Sequence, residues 1–153
     1  MSTILISFEP YWFDFLEKGI KKFEYRKHFP KDKVTAYFYV SNPVKAITGI
    51  AEFDYRQNLS DWKNIYKDRP NTVQKRIDEF LMDCTYAVPV LKFQPTNKIS
   101  LNTLRTEVPS FVVPRMYYYI DNTELLTYLN KNLKPSCQAL HHSFEIMDDD
   151  DIC

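Results

Sequence analysis

The amino-acid sequence predicts an α+β fold: a small, mostly antiparallel β-barrel of five or six strands with flanking helices and a helical insert. The first observation is composition, because 11 Tyr, 11 Phe and 2 Trp make the chain 16% aromatic, and aromatic residues favour strands. The second is that residues 1–57 contain three or four strand-like segments but one helix-like segment. The third is length, because 153 residues suffice to bury one core and predict one domain.

The N-terminal part combines one helix with several strands. A buried strand is predicted at TILISF (3–8), followed by a helix in EPYWFDFLEKG that stops at Gly19. Two further strands are predicted at VTAYFYVS (34–41) and AITGIAEFDYRQ (46–57). Gly49, within the second of these, is a candidate β-bulge.

The middle of the chain changes from strand-like to helix-like spacing. Apolar residues recur at helical intervals in SDWKNIYKD and TVQKRIDEFLMDC, which predicts a helical insert over about 59–85. The segment YAVPVLKFQPTNKISL (86–101) returns to a strand pattern. Pro89 and Pro95 predict that this strand lies at a sheet edge or is irregular.

The next part of the chain carries the last predicted strand and helix. The strand is expected at RMYYYID (115–121), and Asn122 or Thr123 is expected to cap a helix that ends before Pro135. The predicted domain therefore covers residues 1–135.

Charge is unevenly distributed although the formal net charge is zero. All 20 Lys and Arg residues lie within 1–135, whereas 5 of the 20 acidic residues follow, so this body carries a net charge of +5. Such a charge suits an anionic partner but is smaller than that of a dedicated nucleic-acid binder. Residues 136–153 are expected to form a disordered, solvated acidic tail; the alternative is that they fold back over a basic groove and compete with phosphate.

Cysteine usage and hydropathy predict a cytoplasmic protein without a cofactor. Cys84, Cys137 and Cys153 are odd in number and widely spaced, which disfavours a disulfide framework or a zinc site and favours a reducing compartment. No segment resembles a signal peptide or a membrane span, so no membrane partner is expected. The oligomeric state is left open.

The segment GIKKFEYRK carries the strongest candidate site. After Gly19 it becomes a strand in which Glu24 and Arg26, two residues apart, share one face. The Glu24 carboxylate would hold the Arg26 guanidinium in a defined pose. Lys21 and Lys22 add cations that could contact phosphate or a polarised carbonyl. The alternative is the solvated face of an edge strand, where alternating charge suppresses aggregation.

These residues also resemble a known motif. Gly19, Lys21, Glu24 and Arg26 match the pattern GxKxxExR of the ASCH domains, a family of small PUA-like β-barrels. The flanking segments ILISFEPYWFDFLEKG, YVSNPVKAITGIAEF and VPRMYYYI are similar to the strands and helix that flank the motif in that family. The resemblance covers about residues 3–121, with the helical insert as a variable part.

The resemblance implies a polar cleft on one side of the barrel that binds RNA or a nucleotide-like ligand. Lys21, Glu24 and Arg26 would line it, with Arg26 contacting phosphate or a base edge and Glu24 accepting from an exocyclic amine. Non-covalent binding, in translation or RNA-linked regulation, is the leading expectation. Three further residues are candidates for the cleft walls: Ser41, Arg115 and Tyr117, the last as a stacking platform.

Three alternatives remain open. A related branch of the family hydrolyses acetylated cytidine with a Lys, a Thr nucleophile and a Glu; Lys21 is present here, but Glu24 stands in place of the Thr, so the hydroxyl is missing. A metal-assisted ribonuclease would combine Glu24 with Glu52 and Asp54 from adjacent predicted strands, although the last two equally suit a solvent-facing strand surface. The third alternative is a protein-interaction module with the acidic tail as its handle.

Overall fold

A computed structural model describes the whole chain, residues 1–153. The strands are β1 (Ser2–Phe8), β2 (Phe23–Arg26), β3 (Val34–Val40), β4 (Ala46–Phe53), β5 (Gln57–Asn58), β6 (Tyr86–Gln94), β7 (Ile99–Ser100), β8 (Tyr117–Tyr119) and β9 (Leu140–His141). The helices are α1 (Pro10–Glu17), α2 (Leu59–Ile65), α3 (Asn71–Asp83), α4 (Leu101–Glu107) and α5 (Glu124–Asn132), and a 3₁₀ helix covers Asp149–Asp151. None of the helices combines the length and the apolar character needed to cross a membrane.

Six strands form a curled sheet in the order β2-β6-β4-β3-β1-β8. Only β1 and β3 pair in parallel, and the other neighbours pair antiparallel. The short strands β5 and β9 pair with β6, and β7 pairs with β4. The sheet curls into a half-barrel with β2 and β8 at its two edges. The predicted α+β class and the mostly antiparallel, curled sheet are therefore confirmed.

Aromatic side chains fill the half-barrel and the layers beside it. Inside, a cluster of 15 buried residues includes Phe38, whose ring lies 4.9 Å from that of Phe8 and 5.6 Å from that of Phe13 in edge-to-face geometry. A second cluster of 12 residues lies between the other face of the sheet and α4 and α5. A third, of 7 residues, joins α2 and α3 to β2 and β6. The helical segment predicted over 59–85 thus covers the β2 side of the sheet.

Gly49 lies in a β-bulge of β4, as predicted. Tyr37 pairs with Ile50, whereas Tyr39 pairs with Ile47, so two residues of β4 stand opposite one residue of β3. The φ of Gly49 is +85°, a conformation that favours glycine.

β6 is an internal strand, which corrects the edge position predicted from its prolines. It pairs with β2 on one side and with β4 on the other. Pro89 has no N–H to donate, but its carbonyl accepts from the Asp54 backbone N–H at 2.9 Å. The ladder with β4 changes register at Leu91, because Lys92 and Val90 face consecutive residues of β4. The predicted irregularity is present and lets an internal strand accommodate a proline.

The acidic end of the chain is ordered in the structure, whereas its charge suggested a solvated tail. β9 pairs with β6, which adds residues 140–141 to the sheet. Ile152 is fully buried in the cluster beneath α2 and α3, and Lys22 pairs with Asp151 at 2.7 Å. The buried Ile152 side chain and the pairing of Asp151 with Lys22 attach this segment to the body. A purely acidic segment would have neither apolar burial nor charge neutralisation.

Candidate functional site

A cleft of about 760 Å³ lies between the end of β1 and β2, two strands that do not pair with each other. Its volume falls within the range of about 300–1,000 Å³ that is typical of small-molecule sites. Further walls come from α1, the end of α3, the β3–β4 turn at Ser41, the segment before β8 at Arg115, and Cys153. Residues far apart in sequence therefore meet at one site.

Gly19 positions the polar floor of the cleft by ending α1. Its φ of +73° lies in the left-handed region that suits a glycine after a helix, as predicted from the sequence. The backbone N–H groups of Ile20 and Lys21 both donate to the carbonyl of Phe15, at 3.0 and 3.1 Å. The chain turns sharply as a result, and Lys21 becomes part of the cleft at the start of β2.

The floor of the cleft is a buried group of three charges. Lys21 and Glu24 are only 5% and 7% exposed. The Glu24 carboxylate accepts through Oε2 from Arg26 Nε at 2.6 Å, and its Oε1 lies 3.3 Å from Lys21 Nζ. The same Oε1 accepts from the Tyr25 backbone N–H at 3.2 Å. Glu24 thus balances one of two cations, and the group of three has a net positive charge with the Arg26 side chain 20% exposed, while Glu9 and Asp83 also line the cleft.

Both cations retain unused hydrogen-bond donors. Arg26 donates from Nε to Glu24 and from Nη2 to the Ser7 carbonyl at 2.8 Å, which leaves both hydrogens of Nη1 free within the protein. Lys21 carries three donors and contacts one carboxylate oxygen. The site therefore presents oriented, charged donors to whatever enters the cleft.

Aromatic rings surround these donors. Lys21 Nζ lies 5.3 Å from the centroid of the Trp12 ring and 5.1 Å from that of Tyr25. Tyr25 in turn stacks on Phe80 at the end of α3, with centroids 3.8 Å apart and planes 13° apart. Arg26 Cζ lies 5.3 Å from the centroid of Phe8. Trp12 remains 45% exposed, so its ring is accessible for stacking by a planar ligand.

The Tyr25 hydroxyl and the Cys84 thiol in the cleft walls are poor nucleophiles at neutral pH. Burial, reinforced by Cys153 and Glu24, raises the pKa of the Tyr25 hydroxyl far above its ordinary value. Burial, followed by the charges of Glu24 and Asp83, also raises the pKa of the Cys84 thiol. Both groups therefore stay protonated and neutral.

The structure brings together five of the six ligand-binding residues predicted from the sequence. Lys21, Glu24, Arg26, Ser41 and Arg115 all line the cleft. Their participation in binding stays a prediction.

Tyr117 is the exception, because it does not line the cleft. It packs against the barrel core instead, with its ring 6.1 Å from that of Phe29. The sequence correctly predicted that Tyr117 lies on a strand, but none of the three consecutive tyrosines of β8 lines the cleft.

The alternative metal pair, Glu24 and Glu52, is not brought onto neighbouring strands. β6 separates β2 from β4, so the adjacency assumed from the sequence is absent. No group of three or more His, Cys, Asp or Glu side chains is arranged to hold a metal ion.

Several wall residues were not identified from the sequence. Two of them are aromatic: Trp12 lies in α1, and Tyr25 lies between the motif residues Glu24 and Arg26. Only the aromatic excess of the chain hinted at them. The remaining wall residues missed are Ser7, Phe8, Glu9, Phe80, Asp83, Cys84 and Cys153.

The fold is similar to that of solved ASCH structures from Zymomonas mobilis. A crystal structure of the ASCH protein is 18% identical, with a TM-score of 0.66 over 88% of this chain and 97% of that chain. A crystal structure of a mutant ASCH protein is 17% identical, with a TM-score of 0.66 over 88% of this chain and 100% of that chain. No protein-family model and no curated protein matches the chain. The chain therefore has the PUA-like α+β fold of the ASCH domains.

Proposed function

We propose that the cleft between β1 and β2 binds RNA or a nucleotide-like ligand without covalent chemistry. The observation that carries the proposal is the buried Lys21–Glu24–Arg26 group, whose free donors lie among aromatic rings. A nucleobase offers a flat face for stacking together with carbonyl and ring-nitrogen acceptors, and its phosphate offers charged acceptors. The cleft provides the complement of both features.

Arg26 is the main recognition residue in this proposal. Two of its N–H groups are already bonded within the protein, to Glu24 and to Ser7, so the guanidinium is held in one pose before a ligand arrives. Preorganisation lowers the entropic cost of binding. Its free Nη1 hydrogens would donate to a base carbonyl or a phosphate oxygen, and Lys21 would contribute a second charged contact.

Glu24 acts as a positioning residue in this proposal. Its two carboxylate oxygens accept from, or pair with, Arg26, Lys21 and the Tyr25 backbone N–H. A carboxylate engaged in this way is poorly placed to ligate a metal ion or to attack a substrate, and burial keeps the nearby Tyr25 hydroxyl and Cys84 thiol protonated. These features favour binding over hydrolysis.

The unpaired cysteines bear on the setting of this function. Cys84, Cys137 and Cys153 are all free thiols. Free thiols persist in reducing compartments, and we therefore propose that binding takes place in the cytoplasm.

Calorimetric titration with uridine, cytidine and a short single-stranded RNA, at two salt concentrations, tests the proposal. We expect Arg26→Ala to weaken binding by roughly 10- to 100-fold, as loss of a hydrogen bond to a charged group predicts. Arg105→Ala, at an exposed position of α4 outside the cleft, is the matched control and should bind as the parent does. Absence of binding to all three ligands, or equal binding by both variants, would overturn the proposal.

A further inference from the structure

The acidic end of the chain is attached to the body by cations from separate elements. Lys22 Nζ lies 2.7 Å from Asp151 Oδ1. Arg69 Nη1 donates to Asp149 Oδ1 at 2.9 Å, and Arg69 Nη2 donates to the Met147 carbonyl at 2.5 Å. Asp149 and Asp151 thus pair with Arg69 and Lys22, two cations that are distant from each other in sequence.

Arg76 of α3 adds a third cation to the same segment. Its Nη1 donates to the carbonyl of Ile152 at 2.6 Å and to that of Asp149 at 3.1 Å. The guanidinium therefore contacts acceptor oxygens of the segment but no carboxylate, and its charge is not neutralised by the contact. Residues 147–152 supply every acidic or carbonyl acceptor that these three cations contact.

Two of the three cations, Lys22 and Arg76, are close along the chain to residues of the candidate cleft. Lys22 directly follows Lys21, which forms part of the cleft floor, and Cys153, the residue after Ile152, lines the cleft. Arg76 and the cleft residue Phe80 are four residues apart on α3 and so share one side of that helix. Residues 147–152 thus contact all three cations and lead directly to Cys153 in the cleft wall.

We propose that Lys22, Arg69 and Arg76 form a second anion-binding surface for the phosphate backbone of single-stranded RNA, and that residues 147–152 occupy it as an intramolecular competitor. The inference rests on the proposed function, since the cleft would hold a base while this surface holds the adjoining phosphates. Phosphate oxygens are strong acceptors for guanidinium and ammonium groups and would replace the carboxylates of Asp149 and Asp151.

Partial exposure makes this exchange feasible. The side chains of Lys22 and Arg69 are 27% and 29% exposed, and that of Asp149 is 41% exposed. The Arg69–Asp149 pair is exposed enough to contribute only modestly to stability, whereas the Asp151 side chain in the Lys22 pair is 11% exposed and less accessible. A polyanion with several phosphates would therefore displace the Arg69–Asp149 contact first, while Ile152 keeps the segment tethered by its buried side chain.

The test compares two doubly substituted proteins with equal changes in charge. The Asp149→Asn/Asp151→Asn variant loses the ion pairs with Arg69 and Lys22 and retains the buried Ile152 side chain. Glu145→Gln with Asp150→Asn removes two exposed acids that pair with none of the three cations. Affinity for a short oligouridylate and for uridine is measured over a series of salt concentrations, and urea unfolding confirms that both variants fold.

We expect the first variant to bind oligouridylate at least 5-fold more tightly than the parent at low salt, with uridine affinity unchanged. The slope of log affinity against log salt should steepen by about 1.4, because each freed cation contributes about 0.7 for single strands. Arg69→Ala in that background should remove about half of this increase. The Glu145→Gln/Asp150→Asn variant should keep the parental slope.

Three results would overturn the inference. Equal gains in both variants would show a general field effect rather than release of specific cations. Unchanged oligouridylate affinity with normal uridine binding would show that the segment is a permanent part of the fold, and the proposed function would stand. Loss of binding to both ligands in every protein would remove the proposed function and this inference together.

Discussion

Glu24 carries a negative charge at a position that is only 7% exposed, and its two cationic neighbours make this arrangement tolerable. Removing one member of a buried ion group leaves the others uncompensated, which costs more than the group itself contributes. We expect Glu24→Gln to lower the free energy of unfolding by about 3 kcal/mol. Lys21→Met in the same protein should restore part of this loss, because it removes one of the two cations that Glu24 contacts.

Urea denaturation of the two single variants and the double variant measures this coupling. Additive effects of the two substitutions would contradict the account, because additivity holds for residues that do not interact.

His142 links stability to pH. Burial, with the positive charge of Lys22 as the next cause, holds the pKa of His142 below its ordinary value, although Asp151 acts in the opposite direction. Its Nε2 is buried without a hydrogen-bond partner. The unfolded chain binds the proton more readily, so the stability that His142 contributes is complete above about pH 6.5 and is lost as the pH falls through the lower, folded pKa.

The corresponding prediction is that His142→Gln reduces the loss of unfolding free energy between neutral and mildly acidic pH. His141→Gln, at the exposed neighbouring position, is the control and should retain the parental pH dependence. Urea unfolding at the two pH values provides the comparison. An equal pH dependence in the His142 variant and the parent would show that another group is responsible.

At the scale of the elements, the two glycines serve different purposes. A Cβ on Gly49 would lie 3.0 Å from Phe13 Cζ and equally close to the Phe93 ring, whereas one on Gly19 would first meet Leu140 Cδ1 at 3.6 Å. Both positions have positive φ. Gly19→Ala therefore adds backbone strain alone, about 1–2 kcal/mol, and Gly49→Ala adds overpacking of about 1–3 kcal/mol on top of the strain.

Chemical denaturation of the two alanine variants compares these costs. We expect Gly49→Ala to be the less stable protein. The opposite order would mean that Phe13 and Phe93 move aside readily and that the bulge does not depend on close packing.

Elements with strong local signals could be predicted from sequence. The apolar strands β1 and β3, the end of α1 at Gly19, and the cap of α5 at Thr123, whose side chain accepts from the Leu126 N–H, all match. α4 was missed, because the segment before it reads as a strand and Ser100 was not recognised as its cap. The internal position of β6 depends on its pairing with β2 and β4, which cannot be predicted from the local effect of Pro89.

The same limit applies to the candidate site. Glu24 and Arg26 are two residues apart on β2, and this spacing makes their contact predictable, whereas Lys21 precedes the strand and joins them only through the turn after Gly19. Phe80, Cys84 and the C-terminal segment reach the cleft only because α3 packs on β2 and Ile152 is buried beneath it. Contacts of this kind arise from the fold, so a single sequence contains no local signal for them.

At the scale of the whole molecule, the cleft exists because the half-barrel does not close through backbone pairing. The edge strands β2 and β8 do not pair, and the Arg26 side chain of β2 donates to the Ser7 carbonyl at the end of β1, the neighbour of β8. One residue therefore joins two strands and presents donors to the ligand. The helical insert and the acidic segment then enclose the side of the cleft that the sheet leaves open.

The central claim is that a nucleoside binds at the Lys21–Glu24–Arg26 floor. The most direct test is a nuclear magnetic resonance titration of the isotope-labelled protein with uridine and cytidine, following backbone amides, tryptophan indoles and arginine Nε–H groups. We predict that the largest shifts occur at the Trp12 indole, the Arg26 Nε–H and the amides of residues 21–26. Shifts confined to residues outside the cleft, or the absence of any shift, would contradict the account.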